Sequence, residues 1–151
     1  MDADALIDTG AILAILDPID HWHALCAEEL RRLRLPLLTS EAVLTELFHL
    51  VGCSRAQMEA AWKFVRSGAL TVAPIEDAEL GELQELMVRY SDRAMDFADA
   101  TLVYLAKRHS LSTIFTVDRA DFLTYRIEGK RGFQLLPCDT PNRARRPRPR
   151  R

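Results

Sequence analysis

The chain has 151 residues, of which 48% are hydrophobic and 28% charged, with 6 glycines, 7 prolines and a formal net charge of −2. This composition excludes collagen-like, disordered and coiled-coil proteins, and the length fits one domain that buries roughly two-thirds of its unfolded surface. The longest apolar run, Ala11 to Leu16, is far shorter than the roughly 20 residues that span a bilayer, so no membrane segment is expected.

The N-terminal residues and the cysteines predict a cytoplasmic protein. Asp2, Asp4 and Asp8 stand where a secretory signal would carry basic residues. The three cysteines are odd in number and widely spaced, with no Cys-x-x-Cys pair. That pattern favours reduced thiols over a disulfide framework or a zinc site.

The near-neutral net charge hides an asymmetry along the chain. Six of the 20 basic residues are arginines that follow position 142, whereas all 22 acidic residues lie within residues 1–142. An acidic body is suited to holding a divalent cation, and a basic tail to contacting polyphosphate.

The predicted elements alternate between short apolar strands and helices with a periodic apolar face. Ser40 and Ser54 are predicted N-caps, Gly52 and Gly68 are predicted helix ends, and Trp62 is predicted to lie in the core. In chain order we expect a strand over 5–7, helices over 11–16 and 20–34, a strand over 35–39, helices over 40–51 and 54–68, a strand over 70–73, helices over 77–90 and 97–109, and strands over 112–117 and 133–136.

Strands that are separated by helices favour parallel pairing through right-handed crossovers, and therefore an α/β sandwich. Residues 1–139 are predicted to form this single domain. Residues 140–151 are rich in proline and arginine and have little apolar surface to bury, so we predict a disordered tail.

Four acidic residues are predicted to meet at one edge of the sheet. Asp8 ends the first strand, Asp118 ends the strand over 112–117, and Asp99 lies near the start of a helix. Ligands of open α/β sheets bind beyond the carboxyl ends of the strands, where these side chains would gather. Glu46 lies on the inward side of an apolar helix, where an acid is costly unless it is paired or bound to a cation.

Clustered carboxylates repel one another, and a bound metal ion relieves that repulsion. Oxygen-only ligands select hard cations such as Mg²⁺ or Mn²⁺ over zinc. Such ions activate water and stabilise a phosphodiester leaving group, so the cluster is compatible with phosphodiester hydrolysis. An acidic sheet edge also suits a receiver-like signalling domain or a phosphatase. The first strand lacks the adjacent acidic pair of the former and the Asp-x-Asp of the latter.

The residues around these acids carry a family resemblance that covers residues 4 to about 137. Four motifs occur in order: Leu6-Ile7-Asp8-Thr9-Gly10, Ser40-Glu41-Ala42-Val43-Leu44-Thr45-Glu46-Leu47, Asp96-Phe97-Ala98-Asp99-Ala100 and Thr116-Val117-Asp118-Arg119-Ala120-Asp121-Phe122. The set resembles PIN-domain ribonucleases, particularly the VapC-type toxins of toxin–antitoxin pairs.

The resemblance implies a three-layer α/β/α sandwich with a central parallel sheet and a Mg²⁺- or Mn²⁺-dependent endoribonuclease. By position it assigns catalysis and metal binding to Asp8, Glu46, Asp99 and Asp118, with the hydroxyls of Thr9 and Thr116 in support. It further implies an RNA substrate, a homodimer and a cognate antitoxin protein that blocks the acidic pocket. The tail arginines Arg143, Arg145, Arg146 and Arg148 become candidate RNA contacts.

Several residues also have plain structural interpretations. Asp8 could serve only as an N-cap, and Glu46 could pair with an internal arginine. Asp96 is interpreted as a cap or a support for the ligands, and Asp121 as a cap on a short turn or a second support. A non-toxin PIN protein, either a housekeeping nuclease or an RNA-binding module, remains an alternative function.

Overall fold

The computed structural model describes residues 3–141, so the tail and its candidate RNA contacts lie outside the described residues. This part of the chain contains five strands: β1 (Leu6–Ile7), β2 (Leu37–Ser40), β3 (Leu70–Ala73), β4 (Thr113–Phe115) and β5 (Gln134–Leu136). It also contains seven α-helices: α1 (Thr9–Leu16), α2 (His23–Arg32), α3 (Glu41–Val51), α4 (Arg55–Val65), α5 (Leu80–Arg89), α6 (Phe97–Arg108) and α7 (Arg119–Thr124).

The five strands form one parallel sheet in the order β3-β2-β1-β4-β5. From the central strand β1 the chain adds β2 and β3 on one side of the sheet, and then crosses back to add β4 and β5 on the other side of β1. Right-handed crossovers that run in both directions from β1 place helices on both faces of the sheet. The predicted α/β/α sandwich with a parallel sheet is confirmed.

The reversal between β1 and β4 positions the site. Ile7 pairs with Phe115, and the backbone N–H of Asp8 donates to the carbonyl of Phe115 at 3.0 Å. The residues that follow these two strands therefore leave the sheet side by side, at the switch point where open α/β sheets bind ligands.

The predicted caps account for where α3 and α4 begin. Ser40 accepts a hydrogen bond from the backbone N–H of Val43, and Ser54 accepts one from that of Gln57, each at 3.3 Å. The Ser40 hydroxyl also lies 2.7 Å from that of Thr101, which fastens the start of α3 to α6. Because both helices carry acids of the site, this buried contact sets their relative position.

Several local predictions are wrong. The short turn that was expected before Phe122 is part of helix α7, which spans Arg119–Thr124. The helix expected from position 77 begins at Leu80, after a 3-10 turn over Asp77–Glu79. Trp62 is 48% exposed rather than buried, because its ring lies against Phe48 on the outer side of α3 and α4, with 4.6 Å between the ring centroids.

The helices and the cysteines bear on two further expectations from the sequence, the absence of a membrane segment and the presence of reduced thiols. None of the helices in residues 3–141 is both long enough and apolar enough to cross a bilayer. The three cysteines are free: Cys26 is buried, and Cys53 and Cys138 are exposed.

Gly10 permits a close approach between α1 and the segment after β4. A Cβ atom at this position would lie 2.5 Å from Cγ2 of Val117. We expect Gly10→Ala to destabilise the fold by about 1–3 kcal/mol, since valine is stiff and overpacking forces the backbone to shift. Thermal unfolding followed by circular dichroism would measure the change.

Gly81→Ala is the matched control, because a Cβ at this helical position in α5 meets nothing within 4 Å. It should leave stability unchanged or raise it by about 0.5–1 kcal/mol, the helix-propensity difference between the residues. Equal melting temperatures for the two variants would contradict the steric explanation.

Candidate active site

Three carboxylates come closest together at the carboxyl edge of the sheet. Asp99, Asp118 and Asp121 each offer one oxygen, and these oxygens all lie within 4.8 Å of one another. Asp99 is in the first turn of α6, Asp118 follows β4, and Asp121 is in the first turn of α7. All three side chains are partly buried.

Asp8 lies deeper in the same edge and is only 7% exposed. Its Oδ1 accepts from the backbone N–H of Thr9 at 2.7 Å, and its Oδ2 accepts from the hydroxyl of Thr116 at 3.1 Å. Thr116 also accepts from the backbone N–H of Asp118 at 3.0 Å, so one hydroxyl links the ends of β1 and β4. Asp8 is thus both the N-cap of α1 and a neighbour of the acidic residues.

Glu46 approaches the site from α3. Burial raises the pKa of Glu46, and the charges of Asp96 and Asp118 raise it further, whereas the hydroxyl of Thr9 lowers it in part. The Thr9 hydroxyl also lies 3.5 Å from the carbonyl of Val43. Within residues 3–141 no ion pair involves Glu46, so the structure does not support an arginine partner for it.

Asp96 and Asp121 differ from each other in their surroundings. The exposed Asp96 is the N-cap of α6 and accepts from the backbone N–H of Asp99 at 2.8 Å, which confirms the cap. Asp121 does not cap a turn: its carboxylate lies beside those of Asp99 and Asp118 and accepts from Arg93. The geometry therefore places Asp121 within the acidic group.

Tyr125 was not identified from the sequence. Its buried hydroxyl donates to Oδ2 of Asp99 at 3.0 Å, and its ring packs edge-on against those of Tyr90 and Phe122. Burial, followed by the charge of Asp99, raises the pKa of Tyr125. The sequence offered no clear signal for this residue, because α7 is too short for a periodic pattern and Tyr125 follows its last residue.

The pKa values of the carboxylates at this edge are raised by burial and by their mutual repulsion. Burial raises the pKa of Asp8 to about 7; the hydrogen bonds from Thr9 and Thr116 lower this pKa in part, and the charges of Glu46 and Asp118 raise it by smaller amounts. Burial likewise raises the pKa of Asp99 to about 8, and the charges of Asp8 and Asp96 add to this. The pKa of Asp118 is raised by burial and then by Asp121.

Such a group of acids fits a divalent cation. The donors are all carboxylate oxygens, which hard cations such as Mg²⁺ and Mn²⁺ prefer. The upward pKa shifts have the direction expected for like charges gathered out of water without a compensating charge, and a cation would reverse them. Asp99, Asp118 and Asp121 are the residues best placed to hold it.

Comparison with known proteins identifies the family. The family model for the PIN domain matches residues 5–127. The chain belongs to the PIN-domain family. It is also 33% identical over 135 residues to Ribonuclease VapC26 of Mycobacterium tuberculosis, an alignment that covers 87% of this chain and 99% of that protein. Within the PIN-domain family, its similarity is therefore to the VapC type.

Two solved structures share the fold. The M. tuberculosis toxin VapC20, described as cleaving the sarcin-ricin loop, superposes with a TM-score of 0.65 and 21% identity, over 73% of this chain and 86% of that one. The PAE2754 protein of Pyrobaculum aerophilum gives a TM-score of 0.53 and 22% identity, over 81% of this chain and 84% of that one. At these identities the likeness concerns the PIN fold, which differs from receiver-like and phosphatase folds.

The raised pKa values predict how the metal-free PIN domain responds to pH. Between about pH 4 and pH 8 the folded chain keeps protons on Asp8 and Asp99 that the unfolded chain releases. Stability should therefore fall as the pH rises through this window. With EDTA present, we expect a lower melting temperature at pH 8 than at pH 5.5.

Asp99→Asn tests the cause of that dependence, because the amide oxygen can still accept from Tyr125 while the charge is removed. At pH 8 in EDTA it should melt a few degrees above the unsubstituted chain, since about 1 kcal/mol corresponds to roughly 2–4 °C for a domain of this size. Mg²⁺ should stabilise the unsubstituted chain more than the variant. A variant that melts lower in EDTA would contradict this account, and the exposed Asp77→Asn should change little.

Proposed function

We propose that this protein is a metal-dependent endoribonuclease whose acidic edge binds one or two divalent cations, Mg²⁺ or Mn²⁺. It is a VapC-type toxin endoribonuclease, as its PIN domain and its alignment with nearly the whole of Ribonuclease VapC26 indicate. The observation that carries the metal dependence is the convergence of carboxylates with raised pKa values at the β1–β4 switch point.

The acids divide into roles by position. Asp99, Asp118 and Asp121 would hold the cation, because their oxygens are already close to one another. Asp8, fixed by Thr9 and Thr116, supplies a buried charge behind them. This arrangement extends the sequence-based assignment, in which Asp121 was only a support for the ligands.

Two further groups complete the acidic edge. Glu46 faces it from α3, and we propose that it too contributes to cation binding. Asp96 orients Asp99 through the cap of α6. Both roles agree with the sequence-based assignment, which named Glu46 as a ligand and Asp96 as a support.

The chemistry follows from these positions. When bound, a divalent cation supplies Lewis-acid activation of water and neutralises charge at the phosphate. The protein holds the carboxylates so that little reorganisation is needed, with Tyr125 and Thr116 orienting two of them. No Ser–His–Asp or Cys–His arrangement is apparent in the sequence, so hydrolysis without a covalent enzyme intermediate is the proposed route.

A shallow groove beside the acids offers space for RNA. It has a volume of about 570 Å³ and runs from Glu46 and Asp96 past Phe97 and His49. Phe97 is 45% exposed, and exposed aromatic rings are common stacking surfaces for unpaired RNA bases. Contact between RNA and the tail arginines stays a proposal from the sequence.

Cleavage of total cellular RNA tests the enzymatic proposal. The purified chain with Mg²⁺ or Mn²⁺ should give discrete products that EDTA abolishes. The RNA should include ribosomal RNA, since VapC20 is described as cleaving the sarcin-ricin loop. Asp8→Asn, Glu46→Gln and Asp99→Asn should each reduce the rate by at least about 100-fold, because each removes a charge from the proposed cation site.

Glu59→Gln is the matched control for Glu46→Gln. Glu59 also lies on a helix, but its partner is Arg55, and its side chain is 67% exposed. This control should cleave at the unsubstituted rate. Products that persist in EDTA, or equal rates for the two glutamine variants, would exclude the proposed metal-carboxylate mechanism. Absence of cleavage would favour an RNA-binding module.

Growth of a host cell separates a toxin from a housekeeping nuclease. Induced expression of the unsubstituted chain should arrest growth, and Asp99→Asn at equal protein level should not. Co-expression of a small protein encoded beside this gene should restore growth if it is the cognate antitoxin. Normal growth of cells that contain active nuclease would contradict the toxin role.

We also propose a homodimer. Leu80 and Val88 are 47% and 67% exposed, and they line one apolar depression of about 450 Å³. Exposed apolar patches of this kind are typical of protein interfaces. Light scattering of the purified chain should give twice the mass of the monomer, and a monomeric mass at micromolar concentration would exclude the dimer.

A further inference from the structure

Arg93 contacts the acidic edge from the loop before α6. Its Nε and Nη2 donate to Oδ1 of Asp121 at 3.2 and 3.0 Å. The side chains of the two residues are 34% and 29% exposed, so the pair lies at the rim of the site rather than inside the core. The other ion pairs recorded among residues 3–141 use carboxylates that lie outside the acidic group.

The guanidinium retains unused donors. Arginine has five N–H groups in a planar fork, and the contacts with Asp121 engage only the edge formed by Nε and Nη2. Within the described residues Nη1 makes no hydrogen bond. A second acceptor can therefore bind Arg93 without displacing Asp121.

The backbone holds Arg93 in a defined place. It ends the 3-10 turn Ser91–Arg93, and its N–H donates to the carbonyl of Tyr90 at 3.0 Å. Ala94 then adopts a left-handed conformation with φ of 51°, which is uncommon for a residue other than glycine and persists only where the surroundings enforce it. The next residue, Met95, is buried and anchors the loop.

The charge of the site makes a fixed cation at its rim useful. RNA approaches as a polyanion, and the acidic edge repels it except where a metal ion or a basic side chain intervenes. The arginine fork matches two oxygens of a phosphate and forms charge-assisted hydrogen bonds with them. Arg93 contacts Asp121, whose carboxylate oxygen lies within 4.8 Å of those of Asp99 and Asp118, so the guanidinium borders the place where a phosphate would meet the acidic edge.

We propose that Arg93 is a substrate-binding residue whose guanidinium, oriented by Asp121, binds an RNA phosphate beside the acidic group. The inference rests on the proposed endoribonuclease function and adds a residue that the family motifs do not include. In this proposal the carboxylate of Asp121 has two roles: it is a ligand of the cation together with Asp99 and Asp118, and it orients the guanidinium of Arg93.

RNA binding without turnover tests the proposal. The full chain carrying Asp99→Asn, in Mg²⁺, is titrated against a fluorescently labelled single-stranded RNA, and anisotropy is read at several salt concentrations. Adding Arg93→Gln should weaken binding roughly tenfold at low salt, as loss of one charge-assisted contact would. The slope of log affinity against log salt should become shallower by about 0.7, the value for one phosphate on a single strand.

Arg93→Lys and Arg55→Gln are the matched variants. The lysine keeps the charge but not the fork, so the salt slope should be retained while affinity falls about threefold. Arg55 forms a similar ion pair with Glu59 on α4, its Nε donating at 3.0 Å. Its removal takes away the same charge elsewhere and should change affinity less than twofold.

The outcomes separate three cases. If Arg93→Gln lowers the melting temperature but matches Arg55→Gln in affinity and salt slope, Arg93 only stabilises Asp121 and the inference is overturned. If the unsubstituted chain cleaves RNA while Arg93→Gln and Arg55→Gln bind RNA with equal affinity, the inference fails and the proposed function stands. If the unsubstituted chain neither binds nor cleaves RNA in Mg²⁺ or Mn²⁺, the proposed function fails first.

Discussion

The pairing of β1 with β4 is the constraint on which the site depends. Because crossovers run outward in both directions from this pair, the chain leaves the sheet at two adjacent points, Asp8 and Thr116. The hydroxyl of Thr116 then joins Asp8 to the backbone of Asp118. Asp8 and Asp118, which are more than a hundred positions apart in the sequence, are thus held together by the pairing of β1 with β4 and by the buried hydroxyl of Thr116.

The same constraint creates the electrostatic cost of the site. Like charges held out of water favour protonation, which is why the pKa of Asp8 and that of Asp99 lie well above the ordinary aspartate value. A divalent cation would remove this cost, whereas Arg93 reaches only Asp121 at the rim. Perturbed carboxylates in a cleft are typical of functional sites, where stability is given up for chemistry.

The sequence predicted those parts of the molecule that local physics decides. The strand over 70–73 has the predicted bounds, and Ser40 and Ser54 cap helices because their side chains satisfy free N–H groups. Asp8 and Asp118 lie at the same edge because the parallel strands β1 and β4 present their carboxyl ends together. Each of these results needs only short-range pattern and the handedness of crossovers.

Tertiary contacts decide the remainder, and the sequence could not supply them. The six residues of α7 are too few for a periodic pattern, and the helix is held by Phe122 and Tyr125 packing against their aromatic neighbours. The role of Asp121 depends on that helix, because only a helical turn brings its carboxylate back towards Asp118. Trp62 was expected in the core with the other apolar residues of its helix, yet its ring lies against Phe48 and is 48% exposed.

Helix capping and hydrogen bonding do not explain why the residues of the site are acids rather than neutral polar residues. Asparagine caps helices about as well as aspartate, so the caps at Asp8 and Asp96 do not require a charge. An amide at position 8 could accept from the N–H of Thr9 while its NH2 group donates to the hydroxyl of Thr116, and an amide at position 99 could accept from Tyr125. Folding alone would therefore be served as well, or better, by neutral side chains that avoid the repulsion. The surplus of negative charge is what structure leaves unexplained, and binding of a cation supplies its physical reason.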